Sequence, residues 1–494
     1  MKNITIAYIG GGSKDWAHKY FADLLTKDKV CGELRLYDID VEAANRNKKY
    51  FDKLKQDNAS MVKSEWVCNV INDINEALTG ADFVLISILP YSLTNMKIDV
   101  HYPEKYGIWQ SVGDTVGPGG YSRALRTISY FKYFADRIRA NCPDAWVINY
   151  TNPLAMCVNT LYKEFPQIKA FGCCHEVFGL QEILAAIAGM YLEMPEKGRK
   201  EFLAANLNAV KNELKSKGKN FNNMYCCEKI DRHDIKINVQ GINHFTWIDK
   251  ANYKDLDLFP IYSAFIKMFR ENNKARIGPL VPALIKRKRN VESVKFELFE
   301  KFNRMAAAGD RHLAEFVPDM YLRDKHVLKN GFFLTPVWGR IAYNNILKAK
   351  IKIRNTPLFK AKLKESGEEG VAQISALCGL GDLISNVNLP NKGQAANLVE
   401  GTAVETNARF TDNCIEAIPA GFMTEETAKI VNVHAQNQKD FVDAFFRQDK
   451  AALCDVFCND PAVKRIGKEK GAKLFEEMIE ANKECLDSFL KISK

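Results

Sequence analysis

Two cysteines, a histidine and a glutamate stand side by side in "AFGCCHEVFG", residues 170–179. Adjacent cysteines do not make a CxxC redox pair. Cys174 with His175 is also too few donors for a structural zinc, which takes four ligands at paired short spacings. A catalytic metal with few protein ligands, and positions open for substrate oxygens, stays possible if another ligand comes from elsewhere. "GINHFTWI" offers His244, inside a run that alternates like a strand; the plainer reading is a satisfied core histidine. "GDRHLAEFVP" packs Asp310, Arg311, His312 and Glu315 between a small-residue run and a proline. Its plainer reading is a helix start with Asp310 as N-cap.

Three further stretches suit ligand binding. In "YIGGGS", Gly10, Gly11 and Gly12 follow a strand and precede a helix, so backbone N–H groups can approach a pyrophosphate. Gly10 and Gly12 fit the dinucleotide fingerprint, and Asp15 takes its third glycine position. The next strand leads into Asp38, placed to accept hydrogen bonds from an adenosine ribose, which favours NAD over NADP. "SVGDTVGPGGYSRAL" is a glycine-rich helix entry whose only acid is Asp114. "NYTNPL" puts Asn149, Thr151 and Asn152 at a strand end, where ligands of open α/β sheets sit. Asn152 can both donate to and accept from a sugar or a nicotinamide amide.

Such groups need a scaffold, and the first 150 residues supply one. "ITIAYIG", "ELRLYDID", "ADFVLISI" and "AWVINYTNP" read as strands; "DWAHKYFADLL" and "SRALRTISYFKYFADRIRA" have apolar residues at helical spacing. This alternation implies βαβ units on a mostly parallel sheet. "DIKINVQGINHFTWI" alternates like one strand, and from Gly367 onward the chain reads as helical with a long loop, "SNVNLPNKGQAANL". The lysine-rich residues 193–231 look like a surface helical excursion. The expected class is α/β: a Rossmann-like, lactate/malate dehydrogenase-like NAD-binding domain over 1–190, then an α+β catalytic and oligomerisation lobe over 191–494.

Composition narrows the classes. The chain has 494 residues, 47% hydrophobic and 26% charged, as expected of a globular protein with two or more lobes. The net charge of +10 is spread over "KRKRN", "KAKIKIR" and "KRIGKEKGAK" without interleaved stacking aromatics. These read as solvated faces, so no nucleic-acid partner is expected, and an anionic substrate is another reason for positive potential. The sequence lacks both the apolar run of a membrane helix and a signal-peptide layout. With 13 cysteines, an odd number, it reads as cytoplasmic with reduced thiols.

Taken together, "YIGGGS … YDID … SVGDTVGPGG … NYTNP … CCHEVFG … GINHFTW … GDRHLAEF … NVNLPNKGQ" resembles glycoside hydrolase family 4 nearly end to end. Residues 193–231, and part of 275–291, look like insertions. With Cys174, His175, Glu176 and Val177, the chain looks most like the α-galacturonidase branch; 6-phospho-glycosidases carry Asn or Asp where His175 stands. The resemblance implies a redox-assisted elimination, one of the exceptions to paired-carboxylate glycoside hydrolysis. Bound NAD⁺ takes hydride from C3 of the sugar, the C2 proton is removed, the glycosidic oxygen leaves, water adds and hydride returns. A divalent metal, usually Mn²⁺, assists. Cys174 and His244 would hold the metal, His175 would be the proton donor and Asp310 the base at C2. The cofactor set would be Gly10, Gly11, Gly12, Ser13, Asp38, Ile88 and Asn149. Asp114 and Asn152 would orient sugar hydroxyls, Glu176 marks substrate class, and Arg123, Arg311 or His312 would pair with a uronate carboxylate. The implied partners are a small anionic sugar or oligogalacturonide and further copies of the chain, as a homodimer or homotetramer. An α-glucosidase, α-galactosidase or α-glucuronidase of the same mechanism is the alternative, and an NAD-dependent hydroxy-acid dehydrogenase a more distant one.

Overall fold

β1 (Lys2–Ile9) sends Ile4, Ile6 and Tyr8 into one buried cluster and Ala7 and Ile9 into another. Alternate side chains therefore feed apolar layers on both faces of the sheet, the mark of a parallel sheet covered on both sides. Beside β1 run β2 (Val30–Tyr37), β3 (Trp66–Val70), β4 (Phe83–Ile86), β5 (Trp146–Asn149) and β6 (Lys169–Gly172), all parallel in the order β3-β2-β1-β4-β5-β6. This is the strand order of a doubly wound dinucleotide-binding fold, with its crevice where the order reverses between β1 and β4. The computed structural model describes residues 1–14, 16–221, 230–274, 292–356 and 358–486. Asp15, the residues 275–291 read as part insertion, and "KRKRN" lie outside them.

The sheet continues past β6. β11 (Leu383–Pro390) pairs antiparallel with β6 through Asn388 and Gly172, and β12 (Ala403–Thr411) and β13 (Cys414–Ala417) extend it. The stretch expected as a loop over 385–398 is thus strand as far as Pro390. Its period-2 pattern was hidden because inward positions carry Asn386 and Asn388 instead of apolar residues. Asn386 satisfies its amide on the Glu405 carboxylate at 2.6 Å and the Cys174 carbonyl at 3.3 Å. Covering β6 with β11 removes an open sheet edge. This explains why contacts divide the chain discontinuously, into Met1–Cys174, Glu315–Lys325 and Leu334–Lys494 against His175–Ala314 and His326–Phe333, rather than at residue 190.

The second unit has its own core. It is built from the helix Glu176–Leu192, the helix Phe259–Lys274, β7 (Ile235–Ile242) and β8 (Phe245–Tyr253), with short β9 (Leu256–Asp257) and β10 (Met305–Ala306) on β8. The run expected as one strand over 234–248 is a hairpin that reverses at Asn243-His244, since Ile242 pairs with Phe245. Residues 193–231 are not only surface. Their helices Glu196–Leu203 and Leu207–Ser216 bury Phe202, Leu207, Val210 and Leu214 in this core while their lysines stay outside; residues 222–229 lie outside the described residues.

Candidate active site

Three short segments of the second unit carry the candidate reactive groups. His175 and Glu176 open the helix Glu176–Leu192, with His175 as an exposed N-cap residue. His244 is the second residue of the β7–β8 turn, where it holds φ of 62°, a left-handed conformation unusual for a side chain of its size. Such strain persists only where the surroundings over-determine it and concentrates at functional sites. The His244 and His312 rings meet edge to face, centroids 3.8 Å apart, and His312 Nδ1 is buried without a hydrogen-bond partner. Arg311 lies over Phe333 at 5.2 Å.

Glu176 ties the segments together. Its Oε2 accepts the Gly309 N–H at 2.5 Å, fixing the turn that leads into Asp310 and His312. Burial alone would raise the Glu176 carboxyl, but charge on His312 and His244, the Gly309 N–H and charge on His175 bring it down to about 2. Asp310 begins the helix Asp310–Phe316, yet it caps a different helix: its oxygens accept from Val294 N–H at 3.1 Å and Lys295 N–H at 3.0 Å, at the start of Ser293–Phe302. Burial, followed by repulsion from Glu292, pushes Asp310 up to about 7 against those two bonds. A carboxylate so poised has the basicity of a general base at neutral pH.

In the first unit the glycine-rich stretch after Gln110 is clamped from several sides. Glu315 Oε1 accepts from Val112 and Gly113 N–H at 2.7 and 2.8 Å, Asp460 accepts from Gly117 N–H at 3.1 Å, and Gln110 accepts from Gly119 N–H at 2.8 Å. A Cβ on Gly119 would stand 2.8 Å from the Asp99 carbonyl oxygen and one on Gly120 2.6 Å from the Thr115 carbonyl carbon, so neither position admits a side chain. Helix begins at Gly117, earlier than a loop through Gly120 implies, and presents Arg123, whose Nε donates to the Asn152 carbonyl at 3.2 Å. Asp114 accepts the Thr115 hydroxyl at 2.7 Å. Cys173 donates to Gln373 at 3.2 Å, and its burial raises it far above an ordinary thiol, so it packs. Cys174, half-buried, follows the end of β6.

The nucleotide-binding turn closes through Ser13 N–H on the Gly10 carbonyl at 2.9 Å. A Cβ on Gly10 would stand 2.1 Å from the Ser87 carbonyl oxygen. Asp38 Oδ2 accepts Gly12 N–H at 2.8 Å, and burial raises its carboxyl. Ile88 N–H donates to Thr151 at 2.9 Å, while both amide atoms of Asn149 are taken by the Thr151 backbone.

A model of the family 4 glycosyl hydrolases matches residues 5–190, and a model of the family 4 glycosyl hydrolase C-terminal domain matches residues 239–463. The chain belongs to glycosyl hydrolase family 4. It is similar to an alpha-galacturonidase of Thermoanaerobacter italicus, 44% identical over 488 residues and 98% of both chains. The solved structure of lplD from Bacillus subtilis superposes with a TM-score of 0.81 at 38% identity, over 97% of this chain and 100% of that one. The 6-phospho-beta glucosidase of Thermotoga maritima, solved with manganese, NAD⁺ and glucose-6-phosphate, shares the fold at a TM-score of 0.72 and 18% identity, over 97% and 99%.

Within this family 4 glycoside hydrolase, sequence reasoning missed two side chains of the first unit. In sequence Glu315 stands only as one member of the Asp310, Arg311, His312 and Glu315 cluster, and its bonds to residues 203 and 202 positions away carry no local signal. Arg340, in the helix Val337–Arg354, feels Asp114, Arg123 and Glu315 as its charged neighbours. "TPVWGRIAYNN" has no pattern that marks that arginine.

Proposed function

We propose that the chain is an α-galacturonidase that depends on NAD⁺ and a divalent metal such as Mn²⁺. The observation that carries this reading is the end-to-end likeness to an alpha-galacturonidase, with 44% identity and no large unmatched region. The local geometry supports the mechanism. Glycines whose added Cβ atoms would strike backbone, and Asp38 beside them, suit a pyrophosphate and ribose. By donor chemistry alone, a thiolate and an imidazole, Cys174 and His244, suit a transition metal.

When bound, NAD⁺ would supply a hydride acceptor that later returns the hydride, and the metal a Lewis acid for the sugar's oxygens. The remaining work belongs to the chain. Asp310, raised toward neutrality, takes the proton from C2. His175, exposed at a helix start, delivers a proton to the departing glycosidic oxygen. Asp114 and Asn152 orient hydroxyls, and Glu176 holds the turn that leads into Asp310. The enzyme is read as cytoplasmic and as a homodimer or homotetramer.

The test is incubation with NAD⁺, Mn²⁺ and reductant against chromogenic α-galacturonide, α-glucoside and α-galactoside. Galacturonide cleavage that stops without NAD⁺ or metal is expected, and Cys174→Ser should stop it with the fold retained. Preference for a neutral glycoside, or NADH release without cleavage, would replace the reading.

A further inference from the structure

We infer that Arg340, with Arg123 beside it, grips the carboxylate of the sugar unit being cleaved and so sets the preference for uronides over neutral sugars. The inference rests on the α-galacturonidase reading and extends it to a residue for which the sequence gives no hint.

Arg340 is rigidly placed. Its helix starts where Thr335 donates its hydroxyl to the Ser111 carbonyl at 2.5 Å and Val337 N–H donates to His101 Nε2 at 3.3 Å. Val337 is fully buried against Met96 and Val100 of the helix Leu93–His101, and the Thr335 bond ties the helix start to the segment that carries Asp114. Arg340 follows one turn later and is partly buried.

Its acidic neighbours each hold another group as well. Glu315 spends one oxygen on two backbone N–H groups, and Asp114 accepts from Thr115. Arg123 uses Nε on the Asn152 carbonyl, which leaves its terminal amino groups. The Arg340 guanidinium donates no hydrogen bond and closes no ion pair with any described residue. Two guanidiniums near one another, one without an acceptor and both partly withdrawn from water, form a place that a planar anion completes. Burial lowers the Arg340 pKa most, Asp114 and Glu315 oppose that, and Arg123 adds to it. A carboxylate matches the forked donor geometry of arginine, and a neutral hydroxymethyl group at the same carbon does not.

The experiment compares wild type, Arg340→Gln and Arg340→Lys, loaded with NAD⁺ and Mn²⁺. It reads KM and kcat on a chromogenic α-galacturonide, inhibition by free galacturonate and by free galactose, and NAD⁺ affinity. Arg340→Gln is expected to raise KM and the galacturonate inhibition constant about 100-fold, with kcat changed only a few-fold. Arg340→Lys should recover part of that loss, because it returns the charge without the fork. Unchanged KM in Arg340→Gln overturns the assignment. So does a loss shared equally by galacturonate, galactose and NAD⁺, in both variants, which marks a structural role. Should wild type fail to cleave the galacturonide at all, the substrate reading itself falls, a result distinct from either.

Discussion

Glu176 Oε2 and the Gly309 backbone N–H lie 2.5 Å apart, joining the first residue of one helix to the residue before Asp310. Through that bond a residue that reads as a substrate-class marker becomes a device for placing the Asp310–His312 segment. Glu176→Ala leaves the Gly309 N–H without its acceptor and should cost about 1–3 kcal/mol at neutral pH, with kcat falling more than KM rises. Urea unfolding and steady-state kinetics check both.

The same carboxyl shapes acid stability. Its folded pKa of about 2 lies below the ordinary 4.5, because the histidine charges and the Gly309 N–H overcome burial. A depressed carboxyl contributes stability that is full above the unfolded value and is lost as pH falls through the folded one. Between about pH 4.5 and pH 2, wild type should therefore lose melting temperature more steeply than Glu176→Gln. Parallel acid limbs in the two proteins would remove the electrostatic role.

Asp310 behaves in the opposite sense. Burial and Glu292 raise it to about 7, so the fold favours its protonated form. Its stability contribution is full below the unfolded value near 3.8 and is lost as pH rises through about 7. As the proposed base, Asp310 must be ionised, so activity is expected to run the other way. The acid limb of kcat/KM should rise through an apparent pKa near 7, and Asp310→Asn should lower C2 deuterium exchange by about 10²–10⁴-fold. Exchange that persists in Asp310→Asn assigns the base elsewhere.

What was legible from sequence follows from how local each signal is. Strands such as "ADFVLISI" and the glycine turn announce themselves within a few residues, and they sufficed for a parallel sheet with a nucleotide turn. The β11 strand was hidden because two of its buried positions are asparagines, and the Glu405 and Cys174 partners of Asn386 are set only by tertiary structure. His244 read as strand because a two-residue turn between apolar strands keeps the alternation nearly intact. Asp310 sits at a helix start as its neighbours suggest, but the helix it caps is another one, and only tertiary structure reveals that.

Asp38 and Gly12 should act as one unit toward the cofactor. Asp38→Ala removes the carboxylate proposed to receive the ribose and its bond to Gly12 N–H, and should weaken NAD⁺ binding by about 10–100-fold. Gly12→Ala would put a Cβ 2.7 Å from Ala43 Cβ and 2.8 Å from Asp38 Oδ2, so it should weaken binding through the same pair. Titration of NAD⁺ by calorimetry reads both, and a double variant should lose less than the sum of the singles, since the residues touch.

The Asp99–Arg126 ion pair should govern stability of the first unit. Both side chains are 2% exposed, Arg126 Nη2 donates to Asp99 Oδ2 at 2.5 Å, and Arg126 also donates to Asn482 at 2.9 Å. Removing one partner leaves an uncompensated buried charge, and this costs far more than the pair itself contributes. Arg126→Met alone should therefore lower unfolding stability by about 3–5 kcal/mol, whereas Asp99→Leu with Arg126→Met should recover most of that loss. Denaturant midpoints with unchanged slopes are the measurement. A double variant as unstable as the single one would show that Asn482 and Ser122, which share the network, need the arginine for their own hydrogen bonds.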